Sequence, residues 1–285
     1  MPRSLTDAAV ERIQSFRPLD ALGRKLSVWF ASVVRPGLFK DLLSGTWLGH
    51  PAHPMLTDVP IGAWTSAFAL DLVRGEAAAT ASRSLIGFGV VAALPTAVTG
   101  LSELADIVDP EERSLGVAHA IGNVATVALY TASYWTRRRG RRKAGIALSW
   151  AGAAMATGAA YLGGHLVYRQ VVGPSQAALD LPIADWTPVL DDEALPEGQP
   201  KRVVVEGTNV LLYREAGMTY ALANRCSHRG GPLHKGKVGQ GTVTCPWHLS
   251  TFRLEDGSIV RGPATAPQPA YDVRIRAGKI EIRTR

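Results

Sequence analysis

Four long apolar runs set the strongest limit on what this sequence can fold into. They cover residues 56–73, 84–101, 115–135 and 144–168, and the second and third contain no Asp, Glu, Lys or Arg. Helical segments of this length are long enough to cross a hydrocarbon core of about 30 Å. A soluble helical bundle would need a polar face on each helix, which these runs lack. The sequence therefore predicts a bundle of four transmembrane helices in contact with membrane lipid.

Charge is distributed unevenly between these runs. The net charge is +7, and six basic residues fall within 137–143. Loops 74–83 and 136–143 share one side of the predicted bundle and carry eight basic residues, whereas loop 102–114 carries five acids and one Arg. Basic loops are typical of the cytoplasmic side. The fourth run starts at a basic loop and ends on the opposite side of the membrane, so we expect the domain that follows it to lie outside the cytoplasm. No nucleic-acid partner is expected, because no nucleic-acid motif accompanies the charge.

The remaining segments complete the predicted α+β organisation. Residues 1–45 alternate apolar and charged positions at helical spacing, which predicts an amphipathic segment lying either at the membrane interface or against the rest of the protein. Its apolar side would carry Leu19, Leu22, Leu26, Trp29, Phe30 and Val33. Residues 46–173 hold the four-helix bundle, and 174–185 form a linker. Residues 186–285 contain short β-branched runs between turn residues, which predict a small antiparallel β domain.

Both cysteines of the chain lie in one metal-binding pattern. Cys226 and His228 form C-x-H, and after sixteen intervening residues Cys245 and His248 form C-x-x-H. Zinc fingers group cysteines in one knuckle and histidines in another, whereas each segment here supplies one thiolate and one imidazole. Metal ligation uses the thiolate, so neither cysteine is expected in a disulfide.

This pattern resembles the Rieske family over about residues 186–285. The resemblance implies a [2Fe-2S] cluster in which Cys226 and Cys245 ligate one iron, and His228 and His248 the other. It also implies that the domain transfers electrons. The alternative that we consider is a zinc site formed by the same four residues.

The resemblance extends to neighbouring residues, with two departures. The segment GPATAPQPAY resembles the proline-rich loop that covers the cluster, and Ser250 matches a serine that donates to cluster sulfur in high-potential members. Phe252 stands where those members have Tyr, and Leu249 where the family usually has Gly, whose backbone freedom Leu lacks. His234 lies between the ligand segments and is expected to be a surface histidine.

Three histidines fall on one side of the predicted bundle: His53, His119 and His165. Ionisable residues at membrane depth are often functional, so these could ligate haem b or bind a quinone. Alternatively, they meet the aqueous interface at helix ends. The segments GTWLGHPAHPMLTDVPIG and LGGHLVY resemble a bacterial family of four-helix membrane domains of unknown function. That resemblance implies a bacterial cell membrane but brings no assigned chemistry.

Together these features predict an electron carrier without a substrate site of its own. It would relay one electron at a time between a membrane donor and an acceptor, with redox proteins or a quinone as partners. The alternative is an electron-transfer subunit of an oxygenase or reductase whose catalytic site lies on another chain.

Overall fold

The computed structural model describes residues 5–285, so residues 1–4 of the predicted segment 1–45 lie outside the described residues. The chain forms two compact units. A helical unit comprises the chain up to Val33 together with Ala52–Val172, and a β unit comprises Val34–Pro51 and Gly173–Arg285. The grouping of Val34–Pro51 with the β unit has no counterpart in the sequence-based division, whose boundaries stay predictions.

The described residues form seven α-helices. These are α1 (Leu5–Gln14), α2 (Arg17–Val33), α3 (Leu38–Ser44), α4 (Ala52–Asp71), α5 (Glu76–Ala105), α6 (Pro110–Arg138) and α7 (Arg142–Tyr168). Helices α4 to α7 correspond to the four apolar runs.

Three of these helices, rather than four, are long and apolar enough to cross a membrane within the described part of the chain. They are α5, α6 and α7. Helix α4 falls short because its first turns carry polar residues, among them His53, Thr57 and Asp58, which shorten its continuous apolar stretch. The prediction of four spans is thus supported for three.

Helix α6 shows how the sequence sets a helix boundary. The Asp109 side chain accepts hydrogen bonds from the backbone N–H groups of Glu111 (2.8 Å) and Glu112 (3.1 Å), which caps the helix. Pro110 occupies the first helical position, where its missing N–H costs nothing. The first turn is acidic and the last turn is basic, so the side-chain charges complement the helix dipole.

Close packing joins the helices of the bundle. The rings of Trp64 on α4 and Tyr130 on α6 stack with centroids 4.2 Å apart and planes 7° apart. A Cβ atom at Gly89 of α5 would lie 2.4 Å from Trp64 Nε1. Only glycine therefore leaves room for this stack beside α5.

Helix α2 packs on the bundle and also exposes apolar side chains. Asp20 of α2 pairs with Arg113 of α6 at 2.7 Å. On the predicted apolar side, Phe30 is buried, whereas Trp29 and Val33 are 54% and 65% exposed. Of the two predicted arrangements, packing against the protein is therefore observed, and part of the apolar side remains exposed.

A buried ion pair connects α4 with α6. The Arg137 guanidinium donates to both carboxylate oxygens of Asp71, at 2.7 and 2.6 Å, and both side chains are almost inaccessible to solvent. Three serine hydroxyls surround the pair: Ser82, Ser133 and Ser149. One arginine of the basic run is thus a structural residue and not a surface charge.

Ten strands form the β unit. They are β1 (Thr187–Asp191), β2 (Lys201–Val205), β3 (Thr208–Glu215), β4 (Met218–Ala223), β5 (Lys237–Gly239), β6 (Thr242–Thr244), β7 (Thr251–Arg253), β8 (Ile259–Arg261), β9 (Tyr271–Arg276) and β10 (Lys279–Thr284). They pair antiparallel in three sheets, in the orders β1-β10-β9, β2-β3-β4 and β5-β6-β7-β8.

Strand β3 separates the two hydrophobic cores of this unit. Alternate side chains of a strand point to opposite faces. Val210 and Leu212 belong to the core that includes β9 and β10. Leu211 and Tyr213 belong to the second core, together with both cysteines. The cysteine-containing segments are therefore supported by a rigid, buried strand.

We predict that the buried ion pair is required for the stability of the helical unit. Arg137→Met leaves the Asp71 carboxylate buried without its cation, and breaking a buried pair costs about 3–5 kcal/mol. Thermal unfolding of the detergent-solubilised protein should show a large decrease in midpoint. Arg139→Met, at an exposed position, is the control and should change little. Removing Asp71 as well should restore part of the loss, and an Arg137→Met variant as stable as wild type would contradict this role.

Candidate metal centre

Two loops of the β unit carry the cysteines and histidines. The first ligand loop (residues 224–236) joins β4 to β5, and the second ligand loop (residues 245–250) joins β6 to β7. Backbone hydrogen bonds close each loop: Cys226 N–H donates to Gly231 O at 2.9 Å, and Cys245 N–H to Ser250 O at 2.8 Å. Both loops are therefore rigid where the cysteines lie.

The structure brings the four predicted side chains together in two pairs, one of thiols and one of imidazoles. The thiols of Cys226 and Cys245 are buried and joined by a hydrogen bond. The rings of His228 and His248 lie with centroids 5.0 Å apart and planes 88° apart. One thiol and one imidazole thus come from each loop, as the sequence pattern predicts.

Backbone N–H groups favour the thiolate form of both cysteines. The N–H groups of His228 and Arg229 donate to the Cys226 sulfur, and those of Trp247 and His248 to the Cys245 sulfur. The hydrogen bond from Cys226 lowers the pKa of Cys245 to about 7, and the same bond and burial raise the pKa of Cys226. One of the two sulfurs is thus already close to the charged form that ligates iron.

The surroundings of His228 favour a neutral ring. Burial lowers its pKa well below the ordinary value, and the positive charge of Arg229, the neighbouring ring of His248 and the charge of Lys40 act in the same direction. A neutral imidazole has a lone pair for a metal. The first ligand loop therefore presents its histidine in the ligating form.

The donor set fits a binuclear cluster better than a single ion. Structural zinc takes four protein ligands around one centre, whereas here the two thiols pair with each other and the two imidazoles pair with each other. In a histidine-ligated [2Fe-2S] cluster each iron takes only two protein ligands. A Cβ atom at Gly231 would lie 2.7 Å from the Cys245 sulfur, so glycine keeps this space open.

Ser250 is the last residue of the second ligand loop, and we expect its hydroxyl to donate a hydrogen bond to the cluster. Its side chain is completely buried, and its hydroxyl oxygen accepts from the backbone N–H of Ala264 at 3.0 Å. In this hydrogen bond the proton comes from the Ala264 N–H group. The Ser250 hydroxyl therefore keeps its own proton, which it can donate to a sulfur acceptor. Phe252 is also completely buried, in the core beneath the cysteines.

Leu249 adopts the backbone conformation that glycine accepts most readily. Its φ is +63°, in the left-handed region. For an L-residue other than glycine this conformation costs about 1–2 kcal/mol. The backbone at position 249 thus has the conformation expected where the family usually has glycine, although the residue here is leucine.

Gln268 connects the two sides of the site, and sequence reasoning missed it. Its amide nitrogen donates to the carbonyls of Ala223 (2.6 Å) and Arg225 (2.7 Å), and its oxygen accepts from Ser227 N–H at 2.9 Å. The proline-rich loop (residues 262–271) is therefore fastened to the first ligand loop. A single glutamine among prolines gives no signal of this role in the sequence.

Segment 34–51 also contributes to this region of the β unit. The Thr46 hydroxyl donates to Ala264 O at 3.1 Å, and Gly262 lies against Thr46 and Asp41. Burial raises the pKa of Asp41. Lys40 lies close enough to influence His228. Because Thr46 is 218 positions away from Ala264 in the chain, no local motif could have indicated these contacts.

His234 does not join the four residues. Its Nδ1 lies 2.9 Å from the Asn224 side-chain oxygen, and its backbone N–H donates to the same oxygen. The ring is half-buried and not fully exposed as expected of a surface histidine. It serves to hold the first ligand loop in shape.

The structure brings two of the three membrane histidines together. The rings of His53 on α4 and His119 on α6 have centroids 6.4 Å apart. The ring of His165 lies 6.5 Å from that of Tyr161 on its own helix, α7. Of the three predicted histidines, His53 and His119 therefore form a pair, and His165 is not part of it.

Comparison with known proteins finds a family match for each part of the chain. Residues 185–272 match the Rieske [2Fe-2S] domain, and residues 49–176 match the family described as Predicted membrane protein (DUF2231). The 3-phenylpropionate/cinnamic acid dioxygenase ferredoxin subunit of Escherichia coli (strain K12) is 34% identical over 96 residues, covering 33% of this chain and 87% of that protein. The chain belongs to the Rieske [2Fe-2S] family.

Other relatives share the same part of the chain. Apoptosis-inducing factor 3 of Mus musculus is 35% identical over 89 residues, which are 31% of this chain and only 15% of that protein. Among solved structures, the ferredoxin of carbazole 1,9a-dioxygenase from Nocardioides aromaticivorans IC177 is 27% identical, covering 36% of this chain and 100% of that chain with a TM-score of 0.34.

We predict that Ser250→Ala lowers the reduction potential of the cluster. A hydrogen bond to sulfur stabilises the more negative reduced state, and a net loss of about 1 kcal/mol corresponds to about 40 mV for one electron. Redox titration followed by circular dichroism or electron paramagnetic resonance would measure the shift. Ser258→Ala, in the turn between β7 and β8, is the matched control and should leave the potential unchanged. Equal potentials in wild type and Ser250→Ala would contradict the assigned hydrogen bond.

Proposed function

We propose that this protein is a membrane-anchored electron carrier that relays one electron at a time through a Rieske [2Fe-2S] cluster. The observation that carries the proposal is the convergence of two buried thiols and two imidazoles from two rigid loops. When bound, a [2Fe-2S] cluster takes up and releases single electrons. We assign Cys226, His228, Cys245 and His248 as its ligands.

The charge of the ligands supports a role at higher potential. Two thiolates and two neutral imidazoles bring two negative charges to the cluster, whereas four thiolates would bring four. Fewer negative charges make the addition of an electron easier, which is why histidine ligation raises the potential. The N–H groups that donate to both sulfurs act in the same direction.

Membrane anchoring is supported by the helical unit. Helices α5, α6 and α7 meet the requirements for spans, and we propose that α4 is the fourth, since the buried Arg137–Asp71 pair fixes it to α6. The basic loop between α6 and α7 favours the cytoplasmic side by the positive-inside rule. On that rule, the β unit of a bacterial protein would face outward.

A second candidate is an electron-transfer subunit of an oxygenase, and a specific similarity favours it. The Escherichia coli relative is named as the ferredoxin subunit of a dioxygenase, and this chain covers 87% of it. In this case a catalytic iron would lie on another chain. Copurification of a mononuclear iron oxygenase with this protein would distinguish the second candidate from a relay within the membrane.

An electron carrier in the membrane also needs a donor. The histidines of the helical unit offer a place for a second redox group, for which haem b and a quinone are the two candidates. His165, the third member of the predicted set, lies beside Tyr161 and is not part of the His53–His119 pair.

We predict that the purified protein contains two irons and two acid-labile sulfides per chain. Reductive titration should consume one electron as a histidine-ligated cluster signal appears in electron paramagnetic resonance. Cys226→Ser should remove the signal, and His248→Cys should lower the potential by adding negative charge, if the cluster survives. His50→Ala is the control, because this histidine is exposed and lies outside both ligand loops, and it should retain the signal. Stoichiometric zinc without sulfide would end the proposal.

A further inference from the structure

Two histidines of the helical unit lie opposite each other across the bundle. His53 is in the first turn of α4 and His119 is in α6. Their ring centroids are 6.4 Å apart and their planes are 87° apart. Both rings are half-buried. A pair of imidazoles at such a separation is a geometry that needs an explanation beyond helix packing.

Each ring is held by the backbone of a neighbouring helix. His53 Nδ1 lies 3.0 Å from Thr96 O on α5, and His119 Nδ1 lies 2.7 Å from Ala159 O on α7. A carbonyl oxygen can only accept, so Nδ1 carries the proton in each ring. Nε2 then has the lone pair. Histidines that bind metals almost always donate their second ring N–H in this way.

Glycines fix the position of both rings. A Cβ atom at Gly100 of α5 would lie 2.7 Å from His53 Cε1, and one at Gly163 of α7 would lie 2.9 Å from His119 Cε1. Any other residue would push the ring away from the neighbouring helix. All four long helices of the bundle therefore take part in placing the pair.

The distance between the rings matches two imidazoles bound to opposite sides of one metal. Bonds from metal to imidazole nitrogen are about 2.0–2.1 Å long, so two rings on opposite sides of a metal have centres about 6 Å apart. The described residues offer no third His, Cys, Asp or Glu in such a group. A bare ion would lack ligands, whereas a porphyrin brings four nitrogens and leaves two axial positions.

We propose that His53 and His119 are the axial ligands of a haem b held within the four-helix bundle. The site is distinct from the iron–sulfur centre and lies in the other unit of the chain. The proposal that haem binds here depends only on the geometry of the two histidines. Only its role as the membrane redox group rests on the proposed electron-transfer function.

The same hydrogen bonds argue against a quinone. With Nδ1 as the donor to a carbonyl, Nε2 of each neutral ring can only accept. A quinone carbonyl also only accepts, so the pair would bind the quinol and reject the quinone. Asn123 Nδ2 lies 3.1 Å from His119 Nε2 and 3.0 Å from His119 O. A metal at Nε2 would displace the first contact, and the amide would keep the second.

Haem content and spectra of the full-length protein test this proposal. The protein is produced with a haem precursor supplied, and purified protein is also incubated with haemin. We expect about one haem per chain with a low-spin spectrum. Because the ring planes are nearly perpendicular, the ferric form should give a strongly anisotropic low-spin signal in electron paramagnetic resonance, unlike the rhombic signal of parallel rings.

Variants separate ligation from folding. His53→Ala and His119→Ala should each lose the low-spin spectrum, and His119→Met should retain haem with a shifted spectrum. His165→Ala is the matched control on α7 and should retain the wild-type spectrum. The iron–sulfur signal is measured in every sample, so a protein with its cluster but without haem overturns this inference and leaves the proposed function standing. Low-spin haem that persists in both alanine variants would overturn it as well.

Discussion

The site depends on holding two thiolates and two imidazoles together in a space that excludes most water. Two neighbouring thiolates repel each other, and the protein counters the repulsion with backbone N–H groups from both ligand loops. The loops can supply these groups because strands on either side anchor them and Gln268 ties the first loop to the proline-rich loop. Rigid loops place the ligands in advance, so little reorganisation is needed when the oxidation state changes.

The helical unit must pair its buried polar groups within the protein, and it does so with hydrogen bonds and an ion pair. In lipid each polar group needs a partner within the protein. Asp71 and Arg137 satisfy each other at one end of α4, where three serines complete the network. At the other end, His53 and His119 satisfy one nitrogen each on a backbone carbonyl. Two of the polar groups of the bundle thus differ in role: one is structural, and the other is suited to a ligand.

Sequence patterns predicted the parts of this protein that follow local rules. The spacing of Cys226, His228, Cys245 and His248 identified the family and the loops that carry them, and the apolar runs located four long helices. Long-range contacts could not be predicted, because Thr46 and Gln268 reach the site from distant positions without a motif. The pairing of His53 with His119, and not with His165, likewise depends on how the helices pack. The shortfall of α4 as a span arises from a few polar residues in an otherwise apolar run.

The central claim is that one chain carries a Rieske cluster and holds it at the membrane. The most direct measurement is electron paramagnetic resonance of dithionite-reduced membranes from expressing cells after washing at alkaline pH, which removes peripheral proteins. The account predicts that the histidine-ligated cluster signal stays in the washed membranes and is absent from membranes containing Cys245→Ser. A signal that moves to the soluble fraction with the full-length chain, or no signal where the chain is present, would contradict it.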